Sequence, residues 1–467
     1  AVQTRIQREA RFASDVSHEL RSPITALSAA VEVLDGRRDE FPGRTGQALP
    51  QPPVPSQDEL RPLAVAVAEG YRRGRRDLPW RKVRDPYAIW VSEIMLQQTR
   101  VATVIPYWQR WMQRFPSVAA LAAAPLDDVL AAWSGLGFYG RARNLHRGAR
   151  EVMASWAGEL PSSAAELRQV PGIGPYTAGA ISSIAHGERA ALVDGNVARV
   201  FARVFALDAD IKASATGRVL WEHAHALMQA LPASYAAGEL NEGLMELGAT
   251  VCSVSDPRCL SCPVAAASQC RAAAQGLQST LPVSRAGKPV AELPVLHLQA
   301  VWAMRGQQVV LARRRPEGLF GGLWELPSAA SLPAAAAVVG ARVEGTAAVA
   351  HHDQILSHRR LRIDVWLAWA PATLGKPQDP SYDAVRYVSL EELSDLAISA
   401  ATAALLAKYK DAPWTSIQKP SRSSPKGTQR SSKGSASSAT TSPTPTSPRP
   451  RRARPRASTS SSTTRTR

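Results

Sequence analysis

Cysteine is nearly absent from this chain: it has four in 467 residues, and all four fall between Cys252 and Cys270. A disulfide framework spreads its cysteines through a fold, so this distribution excludes one and favours a metal or cluster site. No stretch approaches the roughly 20 uninterrupted apolar residues that a membrane span requires. The opening AVQTRIQREA holds no apolar signal core, so the expectation is a cytoplasmic protein with no membrane partner. No internal repeat is present, which argues against solenoids and propellers. Acidic residues are missing from Lys419 onward, where twelve Lys and Arg stand unopposed. Most of the formal charge of +17 therefore belongs to that terminal segment, and the rest of the chain is only mildly basic. A polyanionic partner such as nucleic acid fits this balance.

At this length two or three domains with tails are expected. Residues 1–40 read as amphipathic helix, and 41–58, rich in Pro and Gly, read as a linker. Over 59–277 apolar residues recur at three- and four-residue spacing, which predicts an all-helical domain. A second linker covers 278–292. Over 293–411 short apolar runs such as VLHLQAVWAM, QQVVLARR and LRIDVWLAWA predict strands, and EELSDLAISAATAALLAKY predicts one closing helix. Residues 412–467, made of Ser, Thr, Pro and Arg, are expected to be disordered.

Four features carry chemistry. The cysteines are spaced C-x6-C-x2-C-x7-C, and four thiolates this close suit a tetrahedral zinc or a cubane iron–sulfur cluster equally. In LRQVPGIGPYTAGAIS, Gly172 and Gly174 sit at a turn between two helical runs, either as a plain corner or as backbone free to approach one DNA phosphate. Glu93 lies in the apolar run around Ile89, Trp90, Ile94 and Leu96. On a solvated face it would be an ordinary glutamate, whereas burial would raise its pKa toward that of a general acid. Asp194, in VDGNVARV, has the position of a helix N-cap, which is compatible with a catalytic carboxylate as well.

Together these segments resemble the MutY-type adenine DNA glycosylases of the endonuclease III superfamily. SEIMLQQTRVATVIPYW, GLGFYGRARNL, LRQVPGIGPYTAGAIS, ALVDGNVARVFAR and the cysteine loop occur in that family's order, over about Leu60 to Tyr409. The resemblance implies an all-α helix-hairpin-helix glycosylase domain with a [4Fe-4S] loop, followed by an α+β Nudix-like domain. It implies Glu93 as the acid that protonates adenine and assists water, and Asp194 as the carboxylate that stabilises the cationic sugar, with Asn196 supporting it. Cys252, Cys259, Cys262 and Cys270 would hold the cluster, although the last gap is longer here than the family's usual spacing. Arg258 and Arg271 beside them would meet phosphates. Arg81 and Leu96 would border the adenine, Gln97 and Gln98 would form the polar pair that fills the vacated stack, and Tyr139 would lie between the damaged base and its neighbour. Superfamily members that cleave the strand carry a lysine where this chain has Tyr176, so the resemblance implies a monofunctional enzyme with water as the nucleophile.

GLFGGLWELP followed by HHDQILSHRRLRIDVW resembles the C-terminal domain of the same family, which implies that Ser357 and His358 read 8-oxoguanine. The glutamate-rich helix of a working Nudix hydrolase is missing, so binding without nucleotide hydrolysis is expected. The implied partner is double-stranded DNA with an A:8-oxoguanine or A:G mismatch, met by a monomer associated with the nucleoid. At the N-terminus FASDVSHELRSPITALSAAVEVL resembles the phospho-accepting helix of a sensor histidine kinase, with His18 in the phosphorylated place, yet no nucleotide-binding half follows it. The competing readings are a bifunctional pyrimidine glycosylase/lyase and a non-catalytic DNA-binding or signalling fusion.

Overall fold

The computed structural model describes residues 53–284, 289–389, 391–409 and 412. The amphipathic helix expected over 1–40, with His18, and the tail beyond 412 lie outside them. Among the described residues no helix is long and apolar enough to cross a membrane.

The first helix, α1 (Gln57–Gly74), starts at a reciprocal capping box in which the Ser56 side chain accepts from the Glu59 amide and the Glu59 side chain accepts from the Ser56 amide. It buries Leu60, Leu63, Ala64, Val67, Ala68 and Tyr71, the three- and four-residue spacing of a single apolar stripe. The chain continues through α2 (Pro86–Leu96), α3 (Val101–Arg114), α4 (Val118–Ala123), α5 (Leu126–Trp133), α6 (Gly140–Ser155) and α7 (Ala164–Leu167). Then follow α8 (Pro175–Ala185), α9 (Gly195–Val204), α10 (Ser214–Ala230), α11 (Ala237–Thr250), α12 (Pro263–Ala266) and α13 (Arg271–Gln275).

These helices form two apolar nuclei. One gathers α2 to α6 around Trp90, Trp111 and Trp133, which are at most 1 % exposed. The other gathers α1 with α9 to α11 around Phe201, Leu227 and Leu244. Helix α8 gives Ala178 and Ile181 to the first and Ala180 to the second, so it is the shared wall of both. Helix α2 is buried without interruption from Tyr87 to Met95, as a helix packed on all sides must be. Glu93 is on α2, and Tyr176 is on the first turn of α8.

The sheet is built from β1 (Val295–Arg305), β2 (Gln308–Arg314), β3 (Trp324–Glu325), β4 (Ser328–Ala329), β5 (Arg342–Val343), β6 (Ala350–Leu356), β7 (Arg359–Trp369) and β8 (Tyr382–Val388). The order is β3-β2-β1-β7-β5, with β4 added to β1, β6 to β7 and β8 to β2. The central pair, β1 and β7, is parallel from Val295↔Arg360 to Met304↔Trp369. Alternation along β1 sends Leu298, Ala300, Trp302 and Met304 to one core and Val301 and Ala303 to the other. Antiparallel pairing of Leu356 with Arg359 leaves Ser357 and His358 as the exposed tip of the β6–β7 hairpin. Helix α14 (Leu332–Ala337) reads LPAAAA and so offers no carboxylate to a metal.

The single helix expected over 391–409 is corrected to two elements, a 3-10 turn at Glu392–Asp395 and α15 (Ala400–Tyr409). Between them the chain runs extended beside β3: the Trp324 amide donates to Ala397 O at 2.8 Å and the Ser399 amide donates to Trp324 O at 2.9 Å. Sheet pairing outweighs the helical periodicity there, and Ser399 Oγ, accepting from the Thr402 amide at 3.2 Å, opens α15.

The sheet domain is seated on α5 and α6. Leu323 and Ala397 belong to the first helical nucleus. Arg143 Nη1 donates to Gly321 O at 2.5 Å, and Arg313 pairs with Asp127 at 2.6 Å.

Candidate active site

Between the two helical nuclei lies a cavity of about 720 Å³, walled by α2, α8, α11 and the start of α9. Glu93 reaches it from α2 with only 5 % of its surface exposed. Burial pushes its carboxyl up to about 7, and the charges of Asp194 and Glu242 add to that rise, while the Tyr176 hydroxyl and Arg81 oppose it. A shift of this size costs roughly 3 kcal/mol when the group is ionised. Burying one tryptophan such as Trp90 contributes about 5 kcal/mol, so α2 tolerates the carboxyl. Tyr176 donates to Glu93 Oε2 at 2.5 Å and also touches Met245 Sδ at 3.1 Å. Its own pKa is held well above the ordinary value by burial and by Glu93, so it stays a phenol and a donor.

Asp194 caps α9. Its Oδ1 accepts from the Val197 amide at 2.7 Å, and its Oδ2 accepts from Asn196 Nδ2 at 2.8 Å. Asn196 Oδ1 in turn accepts from Arg199 Nη2 at 2.9 Å, and Arg199 also donates to Gly248 O and Cys252 O, each at 2.8 Å. Arg203 reaches the same loop through Ser253 O at 2.6 Å and Cys252 Sγ at 3.2 Å. The carboxylate at the cavity is thus tied by side chains to the cysteine loop.

Arg81 lies on the cavity wall but not free. It pairs with Glu246 at 2.9 Å and Glu242 at 3.3 Å, and sits 5.2 Å from the Tyr71 ring centre. For Glu246, hydrogen bonds from Arg76 and Arg81 outweigh burial and hold the carboxyl down at about 2. For Glu242 burial prevails and raises it. Side by side, one carboxyl is committed to the arginines and the other holds its proton more readily.

Leu96, Gln97 and Gln98 line the mouth of the cavity, with Gln98 exposed at φ +55°. Tyr139, expected between bases, is 8 % exposed here, and its hydroxyl lies within hydrogen-bonding distance of Ser134 Oγ at 3.1 Å and of Ile398 O of the sheet domain at 3.3 Å. The more exposed aromatic ring is its neighbour Phe138, 49 % exposed at φ +48°. Tyr139→Phe should therefore lower the thermal midpoint by about a few degrees, while Phe138→Ala, at an exposed ring, leaves it nearly unchanged. Thermal melting of both variants checks this, and a fall at Phe138→Ala without one at Tyr139→Phe contradicts it.

Gly172, at φ +87°, turns the hairpin where a Cβ would meet Asn144 Cβ at 2.7 Å. Gly174 is the N-cap of α8 and is exposed, with open space where a Cβ would stand. Ser357 and His358 are exposed on the sheet domain and are not among the residues lining the cavity. The four cysteines are half-buried and free. Among the described residues no group of three or more His, Cys, Asp or Glu is arranged to hold a metal ion. Burial pushes the Cys262 and Cys270 thiols up, against the amides of Val264 and Ala265 that face Cys262 and of Ala273 that faces Cys270; four thiols on one loop are nonetheless the donor set that a thiolate-held cluster takes. Arg258 and Arg271 are exposed beside them.

Sequence reasoning missed Phe138, Arg199, Glu242 and Met245. Only Glu242 left a trace, as the partner of Glu246 four residues on along an apolar helix.

Two family models cover the two domains: "HhH-GPD superfamily base excision DNA repair protein" over residues 91–225 and "NUDIX domain" over 299–408. A third, "His Kinase A (phospho-acceptor) domain", matches 8–55, almost wholly outside the described residues. Adenine DNA glycosylase of Mus musculus is 35 % identical over 412 residues, covering 73 % of this chain and 76 % of that protein. The Homo sapiens protein of the same name is 36 % identical over 362 residues, 64 % of this chain and 66 % of that one. The one from Arabidopsis thaliana is 40 % identical over 312 residues, 58 % of this chain and 48 % of the relative, so the chain spans about half of that protein.

Proposed function

The chain belongs to the adenine DNA glycosylase family, and from that premise we propose that it hydrolyses the N-glycosidic bond of adenine mispaired with 8-oxoguanine or guanine, leaving an abasic site. One observation carries the reading: a carboxyl buried in an apolar helix, with its pKa near neutrality and its orientation set by a phenol at 2.5 Å, faces a cavity large enough for a base.

Adenine must leave the helical stack to reach Glu93. Protonated Glu93 gives its proton to a ring nitrogen of the base, the C1′–N9 bond breaks with its electron pair going to adenine, and a cationic sugar remains. Asp194 supplies opposite charge to that cation in a water-poor cavity, where charge stabilisation is strongest. Water then adds to C1′, and the Glu93 carboxylate takes up the released proton, so the acid is regenerated. Tyr176 holds Glu93 without offering an amine, which supports hydrolysis over strand cleavage. A [4Fe-4S] cluster held by Cys252, Cys259, Cys262 and Cys270 would shape the loop they span, beside Arg258 and Arg271. Ser357 and His358, at the hairpin tip, are the candidate readers of 8-oxoguanine on the opposite strand. The protein acts as a monomer in the cytoplasm, on nucleoid DNA.

The test is single-turnover adenine release from duplexes carrying 8-oxoguanine, guanine or thymine opposite adenine, with borohydride trapping run in parallel. Release ordered 8-oxoguanine over guanine over thymine, with no trapped adduct, is expected. Equal release from all three, or a covalent adduct, contradicts the proposal.

A further inference from the structure

Arg141 stands on the first turn of α6, a place where the helix dipole disfavours a cation, and its side chain is largely buried; burial lowers its pKa to about 10. Among the described residues no carboxylate is a hydrogen-bond partner of Arg141. Its two terminal nitrogens instead donate to Ile94 O at 2.8 Å, Met95 O at 3.0 Å, Gln97 O at 2.5 Å, Thr99 Oγ1 at 3.2 Å, Leu136 O at 2.9 Å and Gly137 O at 3.1 Å. The first four belong to the end of α2 and its turn, and the last two belong to the glycine-rich turn before α6. Both turns end in an exposed residue with left-handed backbone: Gln98 at φ +55° and Phe138 at φ +48°. The guanidinium also lies 5.6 Å from the centre of the Phe138 ring and 5.2 Å from that of the buried Trp133.

A buried charge spent on backbone carbonyls of two separate turns secures little that a neutral packed side chain would not, unless the spacing between those turns matters. We propose that Arg141 is a positioning residue that locks the two base-penetrating turns, the one bearing Gln98 and the one bearing Phe138, at the fixed separation needed to unstack the mismatched pair. The inference rests on the glycosylase reading above and adds to it a step before the chemistry. Lysine cannot replace it: one ammonium has three donors on a single atom and cannot span both turns.

The experiment compares wild type with Arg141→Lys and Arg141→Met on two substrates, an A:8-oxoguanine duplex and a duplex with its adenine unpaired in a single-nucleotide bulge. Alongside, 2-aminopurine in place of adenine reports unstacking, in the Glu93→Gln background so that the base is retained. Both variants are expected to lose about a hundredfold on the paired duplex and no more than a few-fold on the bulge, and to abolish the fluorescence rise. Should Arg141→Met not fold, Arg141→Lys, which keeps charge and length, carries the comparison. An equal loss on both substrates, no loss on the paired one, or an undiminished fluorescence rise overturns the proposal. If wild type raises the fluorescence but releases no adenine, the glycosylase reading fails by itself, because the fluorescence comparison does not depend on release.

Discussion

Glu93→Gln is expected to lower adenine release by 10²–10⁴-fold, the range general acid catalysis contributes, while the protein stays folded and still binds its duplex. The amide matches the carboxyl in size and can still accept from Tyr176 Oη, now 2.5 Å from Glu93 Oε2, so the change removes the transferable proton and little else. The pH profile carries the sharper signature. With the Glu93 pKa raised to about 7, chiefly by burial, the proton donor is present below that pH and disappears above it. Wild-type release should therefore be level on the acid side and fall as pH rises through about 7, and Glu93→Gln should lack that limb. The Tyr176 hydrogen bond lowers the Glu93 pKa, so Tyr176→Phe should move the falling limb to higher pH. Rate constants from pH 5 to 9 for the three proteins test this, and an unchanged limb in Glu93→Gln would remove Glu93 from the proton's path.

Asp194→Asn is expected to cost 10²–10³-fold in the same assay, comparable with removing a preorganised electrostatic contact. Asparagine caps helices as well as aspartate does, so the bond now made by Oδ1 to the Val197 amide at 2.7 Å survives and the thermal midpoint should move by no more than a few degrees. The charge at the cavity is gone, however, and the new amide meets the Asn196 amide, which at present donates to Asp194 Oδ2. A second effect has a definite sign. Asp194 raises the Glu93 pKa, so its neutralisation should shift the remaining pH limb downward. A large fall in thermal midpoint with an unshifted limb would instead make Asp194 a structural cap.

Much of this was legible in the primary structure, and what was not has identifiable causes. Most helices declare themselves because they bury one face at spacing 3.6, and the strands through alternation at spacing 2, while α2, buried all round, carries no such stripe. Glu93 is legible through the motif SEIMLQQTRVATVIPYW rather than through its apolar neighbours, which alone leave a solvated helix face open. Tyr139 and Phe138 are different: two adjacent aromatic residues in a glycine-rich turn are interchangeable on paper, and the left-handed backbone at Phe138 decides which ring enters the nucleus and which faces outward. The helix expected over 391–409 failed for a similar reason, since the edge of β3 that recruits Ala397 and Ser399 lies more than seventy residues earlier. Glu242 and Arg199 gain their meaning from contacts across long sequence separations, to Glu93 in one case and to the cysteine loop in the other, and no local pattern encodes such pairs.

The seating of the sheet domain on α5 and α6 bears on how two distant recognition events become one. Leu323 and Ala397 are packed in the helical nucleus, and Tyr139 and Arg143 bond to Ile398 and Gly321, so the hairpin tip with Ser357 and His358, the proposed reader, is not on a loose tether. Its orientation is settled when the chain folds, and the rotational freedom that a flexible linker would surrender at each encounter with DNA is already gone. Once the helical domain holds one strand, the effective concentration of the tip at the opposite strand depends on the geometry of this contact and hardly at all on the linker over 278–292. On the proposed reading, preference for one mismatch over another would be a property of the two sites together, and substitutions at the seam that touch neither base should weaken discrimination before they weaken binding.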